Sequence, residues 1–300
     1  MPTRTPATKV DVGVIGTGAM GMGVVASLKR NGFATHARDI RDEAQRDAAA
    51  QGAICHPDAA SLARSCAIAI VLVIDTTQVD DVLFGAGGAA AGFQLGGIVV
   101  LSSTVPPDYT SALAARLALQ GVLLVDGPVS GGPRRAADGT MTMMVAGSDD
   151  AVARCEAVFS AIAGRVFRVG TKPGDAAKFK IVNNLLAAVN LAAGAEALAL
   201  AARAGLDPQQ VADVINASSG ASWIVTERMP RALAGDFAPR AAARILAKDV
   251  GIAAEFAQRL GAGATFANAA RAAFDGMVDA GQGELDDAAI FKFTADRQGN

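Results

Sequence analysis

Lys180 and Asn184 stand four residues apart in the run Gly174-Asp175-Ala176-Ala177-Lys178-Phe179-Lys180-Ile181-Val182-Asn183-Asn184. On a helix that spacing puts an amine and a carboxamide on one face, a turn apart. A lysine near the start of a helix meets the positive end of the aligned peptide dipoles, and desolvation acts in the same direction. Both favour the neutral amine, the form that accepts a proton from an alcohol near neutral pH. An ordinary solvated lysine is the competing reading. Lys178 fits that description better, because about 200° of helical rotation separates it from Lys180.

Two glycine-rich stretches offer binding chemistry. Gly16-Thr17-Gly18-Ala19-Met20-Gly21 is a GxGxxG between an apolar run and a helical pattern. Its first glycine would permit a tight turn, its second the approach of backbone amides to a pyrophosphate, and its third close helix-sheet packing. A purely structural turn would look the same. Asp39 decides between the two readings: it ends the next apolar segment, about 20 residues on, where an acidic side chain grips a ribose 2′-hydroxyl. That carboxylate would repel a 2′-phosphate, so NAD is expected over NADP, although Arg38 and Arg41 flank it and would accommodate the phosphate if turned towards it. The second stretch, Asp126-Gly127-Pro128-Val129-Ser130-Gly131-Gly132-Pro133, can present backbone amides and the Ser130 hydroxyl to a carboxylate. A structural turn remains open there too.

These segments need a scaffold, and the hydrophobic patterning supplies one. Residues 10–15, 34–38, 67–74, 98–102, 123–125 and 142–146 read as strands, with helical patterns alternating between the earlier ones. That rhythm predicts a mostly parallel sheet covered on both faces, in keeping with the continuous apolar run 67–74. Strands cease after about residue 170. From Gly174 an alanine-rich helix runs to about Arg203, and Asp207-Pro208 reads as the N-cap and first position of the next. Further helices are expected over 223–234, 240–260, 264–280 and 286–294. The fold class is therefore α/β: a Rossmann-type dinucleotide-binding domain over residues 1–173, then a connecting helix and an all-α substrate and dimerisation domain over 174–300. The first eight residues are polar and expected to fray.

Composition removes other classes. The 27 Lys+Arg balance 29 Asp+Glu for a net charge of -2, so no broad basic field calls for nucleic acid or an anionic membrane. Residues 185–202 come nearest to a membrane span, yet Asn190, Gly194 and Glu196 interrupt them, and a buried helix of a soluble protein is expected. Arg4 and Lys9 ahead of the apolar segment 12–28 imitate a secretory signal, but its glycines belong to the phosphate loop, and a cytoplasmic location is expected. Cys55, Cys66 and Cys155 form no CxxC, and with only His36 and His56 available neither a disulfide framework nor a metal site is expected.

Several ordered motifs together carry a resemblance. Gly16 to Gly21, Ser103-Thr104-Val105-Pro106-Pro107, Asp126 to Gly132, Lys180 to Asn184, Lys248-Asp249 and Gly281-Gln282-Gly283-Glu284-Leu285-Asp286 make the chain resemble the β-hydroxyacid dehydrogenase family, of the 3-hydroxyisobutyrate dehydrogenase type, over nearly its whole length. The resemblance implies reversible hydride transfer between NAD and a small hydroxy acid. It implies that Lys180 is the catalytic lysine, that Asn184 binds substrate, and that Ser130, Gly131 and Gly132 hold its carboxylate. Lys248 is implied to lie near substrate and cofactor, Thr104 near the nicotinamide, and Ile74 and Asp75 near the cofactor ribose. The family pattern is broken twice: an acidic residue that often precedes the Ser-Thr pair is absent from Leu101-Ser102-Ser103, and Asp75 stands where many relatives carry proline.

For the substrate the resemblance leans toward L-threonate or a related three- or four-carbon acid, with 3-hydroxyisobutyrate and tartronate semialdehyde as competitors. The hydroxyls of Ser218-Ser219-Gly220-Ala221-Ser222-Trp223 would suit a polyol acid, or the segment is an ordinary polar loop with Trp223 anchoring the next helix. Three rivals differ in kind. An imine reductase would lack the lysine, a 6-phosphogluconate dehydrogenase would have a longer helical portion, and a non-catalytic NAD-binding interaction protein would have little reason to keep both Lys180 and Asn184. The helix over 176–203, apolar around much of its circumference, predicts burial against later helices and another subunit, and the family implies a homodimer or homotetramer.

Overall fold

The computed structural model describes residues 10–297, so the expected fraying of the first eight lies outside the described residues. The chain divides into two compact units, Met1–Lys180 and Ile181–Asn300.

In the first unit the strands are β1 (Val12–Ile15), β2 (Thr35–Arg38), β3 (Ile54–Cys55), β4 (Ile68–Val71), β5 (Ile98–Leu101), β6 (Leu123–Asp126), β7 (Val129–Ser130), β8 (Met141–Ala146) and β9 (Ala163–Gly170). They form one nine-stranded sheet in the order β3-β2-β1-β4-β5-β6-β8-β7, with β9 paired to β8. Every pairing from β3 across to β6 is parallel, whereas β8 runs antiparallel to β6 and β7. Between the strands run α1 (Ala19–Arg30), α2 (Asp42–Ala50), α3 (Ala59–Ser65), α4 (Thr76–Phe84), α5 (Pro107–Ala118), α6 (Gly132–Asp138) and α7 (Asp149–Ile162).

The central strands β1, β4 and β5 carry no polar side chain and are buried throughout because both sheet faces are covered there, and the period of two divides them between two cores. Val12, Val14, Ile68, Ile70, Ile98 and Val100 enter one core; Ile15, Ala69, Val71, Val99 and Leu101 enter the other. The strand order reverses about β1, between β2 and β4, and in open α/β sheets ligands bind beyond the carboxyl ends of strands at such a switch point. The segments singled out above follow those ends: Gly16 after β1, Asp39 after β2, Ile74-Asp75 after β4, Thr104 after β5 and Ser130 to Gly132 after β6.

The expected strand 67–74 is shorter than its apolar run. Leu72 N still donates to the Ile15 carbonyl at 2.9 Å, but past it side chains take over the backbone donors: Val73 N donates to Ser103 Oγ at 2.9 Å and Ile74 N to Gln78 Oε1 at 2.9 Å. Strands β3 and β7 have two residues each, too few for a pattern, and β9 is mostly exposed, including Val166 and Phe167.

Helix α8 (Asp175–Arg203) starts in the first unit and continues as the first helix of the second. It is followed by α9 (Pro208–Asn216), α10 (Trp223–Leu233), α11 (Ala243–Arg259), α12 (Thr265–Met277) and α13 (Ile290–Arg297). Asp207 caps α9 as expected, accepting from Gln209 N at 3.1 Å, with Pro208 opening the helix. The expected helix 264–280 ends at Met277, where the chain widens into a π-helical turn, and 286–294 opens with a single 3-10 turn over Asp287–Ala289.

Ala188, Leu191, Ala195 and Leu198 of α8 build the second unit's core with Ile224, Met229, Phe274 and Ile290. The expectation of a buried helix holds for that face alone. On the opposite face Phe179, Val182, Leu186 and Leu200 are 54 to 65% exposed. By length and composition α8 is also long and apolar enough to cross a membrane.

Candidate active site

The GxGxxG turn joins β1 to α1, and its three glycines meet three different surroundings. Gly16 has φ +89°, and a Cβ there would lie 2.5 Å from Leu72 O. At Gly21 a Cβ would lie 1.9 Å from Gly16 O, so this glycine lets the helix close on the turn. Gly18 is different: the nearest atom to an added Cβ is Arg41 Nη2 at 3.7 Å, leaving a cradle that a side chain would fill. Gly18 is also the N-cap of α1, with no side-chain cap and no acidic residue in the first turn. Amides presented over an open glycine at a helix N-terminus fit a pyrophosphate. Ala19 and Met20 open that helix, whereas Thr17 faces inward and is buried.

Asp39 lies at the end of β2 and is buried beside the turn. Its Oδ2 accepts from Thr17 N at 2.8 Å, and Arg41 donates to Oδ1 from its backbone N at 3.0 Å and from Nε at 3.1 Å. Burial works to raise the Asp39 carboxyl, but the Arg41 and Thr17 hydrogen bonds overcome it and hold the group below the ordinary carboxylate range. Asp39 therefore remains ionised next to the cradle, which suits a ribose hydroxyl.

After β6 the chain turns through Gly127 and Pro128 into β7, and Gly131 and Gly132 follow with φ +133° and +77°. Successive positive dihedrals of this kind are open to glycine. Lys180 is buried, and its Nζ donates to the Val129 carbonyl at 2.7 Å. The amine thus sits against the backbone immediately before Ser130. Lys178, by contrast, is exposed and ion-paired with Asp175 at 3.0 Å, as its place on the helical wheel predicts.

In the second unit Asn184, one turn beyond Lys180 on the same helix, is buried and donates from Nδ2 to Asp249 Oδ2 at 2.6 Å. Lys248 Nζ donates to the other oxygen of Asp249 at 2.6 Å. Asp249 thereby joins two sequence-predicted residues and is the functional candidate that sequence reasoning missed; its adjacency to Lys248 was the available signal. Asp75 caps α4 by accepting from Gln78 N at 2.9 Å, so it has a structural task besides the ribose role implied for it. Ile74 and Thr104 are half-buried beyond β4 and β5. Ser102 and Ser103, where the family pattern is broken, bond to Gly127 O and Val73 N at 2.8 Å and 2.9 Å and so tie neighbouring loops. Ser222 caps α10, while Trp223 is half exposed and does not anchor that helix in the core. Among the described residues no group of three or more His, Cys, Asp or Glu is placed to hold a metal ion.

Two family models match the chain: the NAD binding domain of 6-phosphogluconate dehydrogenase over residues 11–170, and the NAD-binding domain of NADP-dependent 3-hydroxyisobutyrate dehydrogenase over 174–294. The L-threonate dehydrogenase of Cupriavidus necator is 46% identical over 283 residues, covering 94% of this chain and 95% of its own. The chain belongs to the β-hydroxyacid dehydrogenase family. It is an NAD(P)-binding oxidoreductase acting on CH–OH groups. Among solved structures, the 3-hydroxyisobutyrate dehydrogenase from Salmonella typhimurium superposes with a TM-score of 0.90 at 37% identity, covering 95% of this dehydrogenase and 100% of that chain. Psf3, in complex with NADP+ and 2-OPP, superposes with a TM-score of 0.87 at 29% identity, covering 94% of this chain and 99% of its own. Membership along almost the whole chain sets aside a non-catalytic dinucleotide-binding module.

Proposed function

We propose that this dehydrogenase oxidises a small polyol acid of the L-threonate type with NAD, using Lys180 as general base and, in the reverse direction, as general acid. The observation that carries the reading is the buried hydrogen bond from Lys180 Nζ to the Val129 carbonyl, beside the loop that offers anion-binding amides. The Ser130 hydroxyl and the Gly131 and Gly132 amides hold the carboxylate, which fixes the neighbouring carbons. The carbonyl of Val129 engages one N–H of Lys180, which restrains the rotation of the amine. The neutral amine accepts the hydroxyl proton and its ammonium returns it in reduction. When bound, the nicotinamide supplies the hydride acceptor for oxidation and the donor for reduction.

Asn184 binds a substrate hydroxyl, and Lys248 contributes its charge through the Asn184-Asp249-Lys248 network. Gly16, Thr17, Gly18, Ala19, Met20, Gly21 and Asp39 hold the dinucleotide, with Ile74, Asp75 and Thr104 on its ribose and nicotinamide sides. The ionised Asp39 supports NAD, and the Arg41 guanidinium that would receive a 2′-phosphate is engaged with that carboxylate. The functional boundary is proposed at residues 173/174, which makes α8 the first element of the substrate domain. The 46% identity to an L-threonate dehydrogenase supports the polyol substrate over its alkyl competitors.

The protein is further proposed to be a cytoplasmic homodimer or homotetramer. Phe179, Val182, Leu186 and Leu200 cluster within about 60° of the helical wheel, an apolar stripe suited to a second copy. Asn183 and Asn190 fall on the same side, which disfavours a bilayer there.

A spectrophotometric panel of three- and four-carbon hydroxy acids with NAD and NADP tests the reading. L-Threonate with NAD is expected to turn over fastest, and Lys180→Ala to lower turnover by about 10²- to 10⁴-fold while NAD affinity is retained. Activity confined to branched alkyl acids defeats the polyol substrate, tighter binding of NADP defeats the cofactor preference, and near-parental turnover in Lys180→Ala removes the lysine from its role.

A further inference from the structure

Helix α8 begins without a capping side chain of its own at Gly174, and its first turn is held from a distance. Asp126, the last residue of β6, is 2% exposed, and its Oδ2 accepts from Gly174 N at 2.8 Å and Ala177 N at 3.0 Å. The backbone of Asp126 is in register with Leu101 of β5 on one side and Ala146 of β8 on the other, so the carboxylate stands on a fixed strand end. A Cβ at Gly174 would lie 2.5 Å from Ser111 Oγ, and that hydroxyl bonds to Pro173 O at 2.9 Å, so the approach to the helix is packed as well as capped.

The chain leaving Asp126 is the carboxylate loop itself. Three residues on, Val129 O receives the Lys180 amine, and Ser130, Gly131 and Gly132 follow. The loop and the helix are therefore tied twice, by an acceptor of the strand on helix amides and by a donor of the helix on a loop carbonyl. Lys180 lies three residues beyond Ala177, about 4.5 Å along the axis. Any axial slip or rotation of the first turn is passed almost undiminished to Nζ, because an α-helix is stiff over so short a length.

We infer that Asp126 is a positioning residue: it sets the height and rotation of α8 against the carboxylate loop, and so the place of the Lys180 amine relative to the alcohol it deprotonates. This rests on the proposed role of Lys180. A misplacement on the order of 1 Å is enough to lower a rate by about 10²-fold, and the loss appears in kcat because the dinucleotide cradle is built elsewhere, around Gly18 and Asp39.

The test compares Asp126→Ala, Asp126→Asn, Lys180→Ala and the double variants as full chains, with melting temperature and dinucleotide affinity measured alongside kcat and KM. Asp126→Ala is expected to lower kcat by about 10²-fold with little change in dinucleotide affinity. Asp126→Asn, which keeps one acceptor oxygen, is expected to recover most of the loss yet remain several-fold below the parent. In the Lys180→Ala background neither substitution is expected to lower the residual rate further, since groups acting as a unit are not additive.

A folded Asp126→Ala with parental kcat overturns the inference, as does an equal loss in the two backgrounds. If Asp126→Ala does not fold, Asp126→Asn decides: parental kcat overturns the inference, and a lowered kcat that disappears in the Lys180→Ala background supports it. Failure of the underlying reading is separate, because it shows as an active Lys180→Ala.

Discussion

Burial pushes the Asp126 carboxyl up to about 6, against the opposing pull of the Ala177, Gly174 and Ala176 amides. In the unfolded chain the same group titrates near 3.8. Between those values the folded protein binds the proton more tightly, so the associated stability is fully present below about 4 and is lost as pH rises through about 6. Asp126→Asn removes that titration and adds only a pH-independent offset from its altered hydrogen bonds. Its urea midpoint relative to the parent is therefore expected to rise between pH 4 and 7, by an amount corresponding to about 2–3 kcal/mol; a flat difference across that range contradicts the assignment. Much at this scale was legible in the sequence. The spacing of Lys180 and Asn184 put them on one helix face, where the structure buries both, and the distance of Asp39 from the glycines put it beside their turn, where its carboxylate accepts from Thr17 N. What Asp126 and Asp249 hold was not legible: Asp126 reaches amides 48 and 51 residues away, and Asp249 reaches an amide 65 residues away. Neighbours of that kind exist only once the chain has folded.

At the scale of elements, the dinucleotide turn separates two tasks that the motif fuses. Gly18 has extended dihedrals of -65° and -167° that alanine also adopts, and a Cβ there meets nothing closer than 3.7 Å. Gly18→Ala is expected to melt with the parent but to weaken NAD binding by about 10-fold or more, since the methyl group stands where the pyrophosphate approaches. Gly21→Ala drives a carbon to 1.9 Å of Gly16 O and is expected to destabilise the unit itself, by about 1–3 kcal/mol or more. Calorimetry with and without NAD separates the two; equal melting losses would show that the cradle at Gly18 is not open. Element order and the parallel core were readable because both sheet faces are covered and the central strands β1, β4 and β5 carry no polar side chain. Strand ends were harder, because hydrogen bonds such as Val73 N to Ser103 Oγ decide them and hydrophobicity does not register such bonds.

For the whole molecule, the division into an α/β unit and a helical unit followed from where strands cease in the sequence. The two faces of α8 did not, since alanine and leucine all around a helix conceal which side is covered. If the exposed stripe meets a second copy, Leu186→Glu or Val182→Glu is expected to lower the mass seen by light scattering to that of one chain, with helicity preserved; a parent that already scatters as single chains at micromolar concentration ends the idea. The covered face of the same helix has a consequence during synthesis. Ala188, Leu191, Ala195 and Leu198 emerge from the ribosome before Ile224, Met229, Phe274, Ile290 and Phe293 exist to shield them. Until those residues have followed, the nascent chain carries a greasy rod whose core face is not yet fully covered, and that is the interval in which premature release or a stalled ribosome would do most to make it aggregate.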